Sequence, residues 1–240
     1  MRRFRFCTLN LQTGVGTTRG YWHYIFTGWK YFFHHSLKKI EEAGDFFKKN
    51  NVDFITLNEV EGGSFRSKDQ IRLLGEMTGL KEEFFTTRYL QPLMKQGNAI
   101  MSRYPIKRSG KIRLSRGGEP RYLCETEVNI KGKKILVLTS HLSVSGRIRR
   151  KQIKEISSRL KELKQPVIFG GDLNVQDTED LKPILDTGIK STPFKKTFPT
   201  WKPIKNMDYI FYSNHFKLKK VKVEDVRISD HLPVIADFEI

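Results

Sequence analysis

Nine polar side chains stand where the apolar runs of this chain stop: Asn10, Glu59, Asn98, His141, Asp172, Asn174, Asp208, Asp230 and His231. A lone polar residue at a strand end is usually a turn or cap residue. Nine in the same strand-then-polar setting are hard to explain as caps. Glu59, Asp230 and an amide are hard oxygen donors, which suit Mg²⁺ or Mn²⁺. Two histidines beside several carboxylates offer a general base and electrostatic stabilisation around a phosphate. Hydrolysis of a phosphodiester requires its charge neutralised, a water deprotonated and the leaving oxygen stabilised, and these residue types supply all three. Other chemistries lack their residues. There is no Gly-x-Ser-x-Gly turn, and neither Cys7 nor Cys124 ends a strand. No cysteine cluster or His-Glu-x-x-His helix points to zinc.

The elements that must carry these side chains can be read from periodicity. Residues 167–174, VIFGGDLN, are a continuous apolar run ended by two glycines, the pattern of a buried strand whose backbone approaches a neighbour closely. Asp172 and Asn174 sit at its open end. Residues 4–11 alternate, with Phe4, Phe6 and Thr8 on one face and Cys7 and Leu9 on the other, and lead to Asn10. Residues 52–60 lead to Glu59, and a short third strand at 98–102 opens with Asn98. A hairpin is expected from 122–130 and 134–142, with 131–133 as its turn, and its second strand ends at His141. Strands at 208–212, 216–223 and 233–238 follow, the last preceded by Asp230 and His231. Helices are expected at 37–50, 67–77, 145–163 and 181–185. Helices separated by hairpins indicate α/β with mixed sheets, and the absence of linkers or repeats indicates one domain.

The glycine- and threonine-rich loop at 12–20 lacks the Lys-Ser/Thr ending of a nucleotide loop. After it, residues 21–35 read YWHYIFTGWKYFFHH. Trp22, Ile25, Trp29, Phe32 and Phe33 recur at helical spacing, which predicts a core-facing or capping helix face. The sharper alternative is an exposed aromatic surface that stacks bases or enters a lipid interface.

The chain of 240 residues is long enough to bury a large core, and its two cysteines read as buried thiols. The net charge of +18 predicts attraction to polyanions: nucleic acid, an anionic membrane surface or phosphorylated substrates. Residues 1–6, MRRFRF, lack the apolar core of a signal peptide, so the expected location is cytoplasmic. A monomer is assumed.

The blocks TLNEV, GNAIMSRYPI, LVLTSHL, VIFGGDLNV, MDYIF and SDHLPV, in that order from Asn10 to Phe238, resemble the endonuclease/exonuclease/phosphatase superfamily, in its deoxyribonuclease I-like and sphingomyelinase-like branch. The resemblance implies a four-layer α/β/β/α sandwich of two mixed sheets with its site at one rim. It implies Glu59 as the main metal ligand, helped by Asn10 and Asp230, with Mg²⁺ or Mn²⁺ as cofactor. Asp172 and Asn174 would position the attacking water and the phosphate. His231, oriented by Asp208, would sit against the phosphate, His141 would be a second catalytic histidine, and Asn98 and Arg121 would bind phosphate oxygens. Either Asp172 or His231 could be the base. Asn58-Glu59-Val60-Glu61 departs from the Gln-Glu-x-Lys block of abasic-site endonucleases. The first functional reading is a metal-dependent nuclease acting on DNA or RNA. The alternative is a phospholipid or other small phosphoester hydrolase at a membrane surface. A non-catalytic polyanion-binding module is disfavoured because every catalytic position is filled.

Overall fold

The computed structural model describes residues 2–27, 37–63, 69–90 and 94–240. Its elements are β1 (Arg3–Asn10), α1 (Tyr21–Thr27), α2 (Leu37–Lys49), β2 (Phe54–Glu61), α3 (Gln70–Thr78), β3 (Lys81–Leu90), β4 (Met94–Ser102), β5 (Ile106–Arg113), β6 (Tyr122–Ile130), β7 (Lys133–Ser140), α4 (Gly146–Glu162), β8 (Val167–Asp172), α5 (Lys182–Leu185), β9 (Lys190–Ser191), β10 (Asp208–Tyr212), β11 (Lys217–Val223) and β12 (Val234–Glu239). The strands form two six-stranded mixed sheets, β11-β12-β1-β2-β4-β3 and β5-β6-β7-β8-β10-β9.

Alternation assigns each side chain to a layer. In β1, Phe4 and Phe6 enter the core between the sheets, while Cys7 and Leu9 face Ile40, Phe47 and Ile71 of α2 and α3. In β7 and β8, Val137 and Ile168 join the inter-sheet core, while Leu138 and Phe169 pack on Ile153, Ile156 and Leu160 of α4. The result is the expected α/β/β/α sandwich. Both cysteines are free and buried.

Several boundaries differ from the sequence reading. Residues 98–102 are the end of the longer β4, and β3 and β5 were not foreseen. β5 is largely exposed and carries Lys107, Arg108, Lys111 and Arg113, so no apolar pattern marks it. The hairpin turn is Lys131-Gly132 alone, both with positive φ (48° and 88°), the geometry of a tight turn between twisted strands. α3 begins at Gln70 because the Asp69 side chain caps it by accepting from the Arg72 amide; residues 67 and 68 lie outside the described residues. The aromatic segment differs most. α1 covers only Tyr21–Thr27, and Trp22 and Ile25 point to solvent, 54% and 79% exposed, so the core-facing stripe does not hold for them. Trp29, Phe32 and Phe33 lie outside the described residues.

The glycines of β8 are needed for close approach. A Cβ on Gly170 would sit 2.6 Å from the Phe6 ring of the opposite sheet, and one on Gly171 would sit 2.3 Å from the Ser140 carbonyl oxygen. Backbone cannot move aside as a flexible side chain can. Gly171→Ala is therefore expected to lower stability by about 1–3 kcal/mol or more through overpacking, read as a lower urea midpoint at unchanged slope.

Candidate active site

Strand register brings the predicted residues to one rim. Asp172, the last residue of β8, pairs across the antiparallel ladder with Asp208, the first residue of β10. β7 runs parallel to β8 with Thr139 opposite Gly170. His141 therefore arrives level with Asp172, its Nε2 3.5 Å from Asp172 Oδ2. In the other sheet, β1 and β2 run parallel with Asn10 opposite Asn58. The two rims meet where Asn10 Nδ2 donates to Glu59 Oε1 at 3.1 Å and to Asp172 Oδ2 at 3.0 Å. His231 comes from the turn before β12. Its Nδ1 lies 2.8 Å from Asp208 Oδ2, and its Nε2 3.8 Å from Asp172 Oδ2.

Glu59 reaches this rim through a bulge. The β2–β4 register shifts between Leu57 and Val60, and Glu59 takes a left-handed backbone with φ 50°. Asn174 does the same with φ 53°. Such conformations cost about 1–3 kcal/mol each for a residue with a side chain, and persist where surrounding structure holds them.

Burial sets the electrostatics. Asp172, Asp208 and His231 are only 2%, 3% and 6% exposed. Burial pushes the Asp172 carboxyl up to about 7; the His231 charge and hydrogen bonds from Asn10 and Asn174 oppose this, and the Asp208 charge adds to it. Burial disfavours the charged form of His231, but the charges of Asp208 and Asp172 and the Asp208 hydrogen bond outweigh it. His231 is held protonated well above the ordinary range. His141 goes the other way: burial, then the charges of Arg121 and His231, hold it neutral. The two histidines thus have opposite protonation states a few ångströms apart.

Asp172, Asp208 and His231 offer ligand atoms within 4.8 Å of one another. A cationic imidazole already bonded to a carboxylate has no lone pair for a metal, so this trio is read as an acid–imidazole–acid group. The oxygen set of Glu59, Asn10 and Asp230 fits a hard divalent cation better. Asn10 Oδ1 accepts from the Gln12 amide, and Asp230 accepts from the Tyr24 and Ser229 hydroxyls. Each of these oxygens has a second lone pair.

Residues 7–231 match the Endonuclease/Exonuclease/phosphatase family. The chain belongs to that family. It is thus a metal-dependent phosphoric ester hydrolase. Solved structures of the same fold include the endonuclease/exonuclease/phosphatase from Bacteroides vulgatus, 16% identical over all of both chains with a TM-score of 0.77. Another is the mannosyl-6-phosphatase Bt3783 of Bacteroides thetaiotaomicron, 18% identical over 99% of this chain and all of that one, TM-score 0.75. The human Nocturnin catalytic domain with bound sulfate is 18% identical over 99% of this chain and 93% of that one, TM-score 0.72. No curated protein matches the chain in sequence.

Not every residue proposed from the family pattern has the same kind of partner. Asn174 donates its backbone N–H to Asp172 Oδ1 and its side-chain amide to the Leu142 carbonyl, so it braces Asp172. Asn98 is 2% exposed, as buried as Asp172; its Oδ1 accepts from Asn58, and its Nδ2 faces Cys124 Sγ. Arg121 pairs with Glu119 at 3.0 Å and acts on His141 through its charge. Three contributors were not singled out from sequence. Asn58 Oδ1 accepts from the Asp172 amide and so ties the two sheets together beneath the site. Thr197 donates to Asp208 Oδ2 at 2.6 Å. Tyr24 donates to Asp230 Oδ2 at 2.6 Å. The departure at Asn58 in the Asn-Glu block was a signal for the first; Thr197, in an irregular loop, offered none.

Proton linkage gives a testable sign. Asp172, about 7 against 3.8, and His231, above 6.5, both hold protons more tightly folded than unfolded. Each makes stability fall as pH rises, Asp172 between 3.8 and about 7 and His231 from 6.5 upward. His141 acts in the opposite sense, but only below 6.5. Metal-free protein is therefore expected to lose stability as pH rises above 6.5, seen as a falling urea midpoint. Imidazole NMR at pH 7 should show a cationic His231 and a neutral His141, and Asp208→Asn should lower the His231 pKa.

Proposed function

We propose that this chain hydrolyses phosphodiester bonds of nucleic acid, with Mg²⁺ or Mn²⁺ as its cofactor. The observation that carries this reading is the Asp172–His231–Asp208 group placed beside an oxygen donor set on one rim. Glu59, Asn10 and Asp230 would hold the cation, which when bound neutralises phosphate charge and stabilises the leaving oxygen.

The geometry supports the remaining roles. Asp172 is fixed at both oxygens, Oδ1 by the Asn174 amide and Oδ2 by Asn10. A carboxyl pushed up to about 7 can orient a water and accept its proton near neutral pH. Asp208 binds His231 Nδ1, leaving Nε2–H to donate to a non-bridging phosphate oxygen. The water oxygen bonds to phosphorus as the bond to the leaving oxygen breaks, and Asp172 takes the water proton. His141, beside Asp172, and Arg121, whose charge acts on His141, would bind other phosphate oxygens. The net charge of +18 supports a polyanionic substrate. Exposed Trp22 and Ile25 favour a second reading, a phospholipid or small phosphoester hydrolase docking on an anionic membrane.

An activity panel decides between them. Nicked plasmid, single-stranded DNA and RNA are expected products with Mg²⁺ or Mn²⁺, and none with EDTA. Activity should fall steeply with salt. Glu59→Gln and His231→Ala should each lower kcat by about a hundredfold or more. Intact nucleic acid alongside cleaved sphingomyelin or phosphatidylinositol would overturn the first reading.

A further inference from the structure

α1 and the irregular segment at 192–207 form one surface over the Asp230–His231 side of the site. The segment is tied to catalytic positions. Thr197 bonds to Asp208, the Thr200 amide donates to the Asp230 carbonyl, and the Leu232 amide donates to the Thr197 carbonyl. Phe198 lies against the His231 ring, with centroids 4.9 Å apart. α1 is tied to the same place by the Tyr24–Asp230 bond. Trp201 joins the two, edge-on to Tyr21 at 5.3 Å and to Tyr24 at 6.0 Å.

What this surface presents is unusual for a solvent face. Tyr21 is 59% and Ile25 79% exposed. Residues 192–207 carry four lysines, Lys195, Lys196, Lys202 and Lys205, and no acidic residue. Lys195, Lys196 and Lys202 are exposed. Lys205 stands over the Phe198 ring. The loop that leads into α1 is held in place: Gln12 binds Thr17 by two hydrogen bonds, and Gln70 donates to the Thr13 carbonyl.

We infer that this shelf binds a single-stranded segment of nucleic acid beside the scissile phosphate, a base stacking on the exposed Tyr21 ring that Trp201 backs edge-on and the neighbouring phosphates lying along the lysines. The inference deepens the nuclease reading and rests on it. Flat rings interleaved with cations match a polymer that alternates planar bases with phosphates. A lipid surface has the anions but not the repeating planar groups. A buried duplex base could not reach the rings without leaving its stack, so the occupant is unpaired.

The test is a binding comparison in EDTA, so that no strand is cut. The probes are a labelled short oligothymidine and its abasic counterpart with the same number of phosphates. The base-bearing strand is expected to bind about tenfold tighter, with both affinities falling alike with salt. Tyr21→Ala and Trp201→Ala should remove the difference and leave abasic binding intact, while Trp201→Phe restores it. Equal affinity of the wild-type protein for the two strands overturns the shelf. So does a difference that survives both alanine variants. Binding to phosphatidylserine vesicles that Tyr21→Ala abolishes, without base preference, assigns the surface to a membrane instead. Because binding is read without turnover, cleavage of nucleic acid with no base preference sinks the shelf alone. Base preference with no cleavage sinks the nuclease reading alone.

Discussion

Two carboxylates, Asp172 and Asp208, face each other across the β8–β10 ladder with almost no access to water, and His231 carries the positive charge between them. Leaving either acid ionised there without a counter-charge would cost several kcal/mol. The imidazolium supplies that counter-charge, and the carboxylates in turn keep it charged. Asp172 and His231 thus both hold a proton to higher pH than they would in water. Burial, and after it the positive charges of Arg121 and His231, keep His141 neutral.

The rest of the fold serves that arrangement. Asn58 crosses from one sheet to the Asp172 amide of the other, and Asn10 reaches from β1 to both Glu59 and Asp172. The glycines of β8 let the sheets and the Ser140 backbone close in beneath these contacts. Left-handed backbone at Glu59 and Asn174 is the conformational cost of aiming side chains outward from strand ends. The hydrogen bonds of Asn174 to Asp172 and Leu142 hold one of those two residues in place.

The legibility of this site in the sequence varied with how local each signal was. β8, β10 and the alternating faces of β1 were readable because apolar periodicity is local and survives in a bare sequence. β3 and β5 were not, since edge strands carry charge and their pairing is set by distant partners. Trp22 and Ile25 show the opposite failure. Their helical spacing was real, but the spacing does not say whether a partner surface exists for the stripe to cover.

For the chemistry, the sequence by itself determined which donors stand at strand ends, and the order of their blocks identified the family. Those features depend on neighbours a few residues away. Only the tertiary structure decided that the Asp172 carboxyl is raised while His141 stays neutral, that Asn98 is bonded to Asn58, and that Thr197, Asn58 and Tyr24 bond to Asp208, Asp172 and Asp230. The reason is physical. Burial, charge proximity and hydrogen bonding depend on distances between strands far apart in the chain, and the register that fixes those distances is formed only when both sheets and their loops pack together.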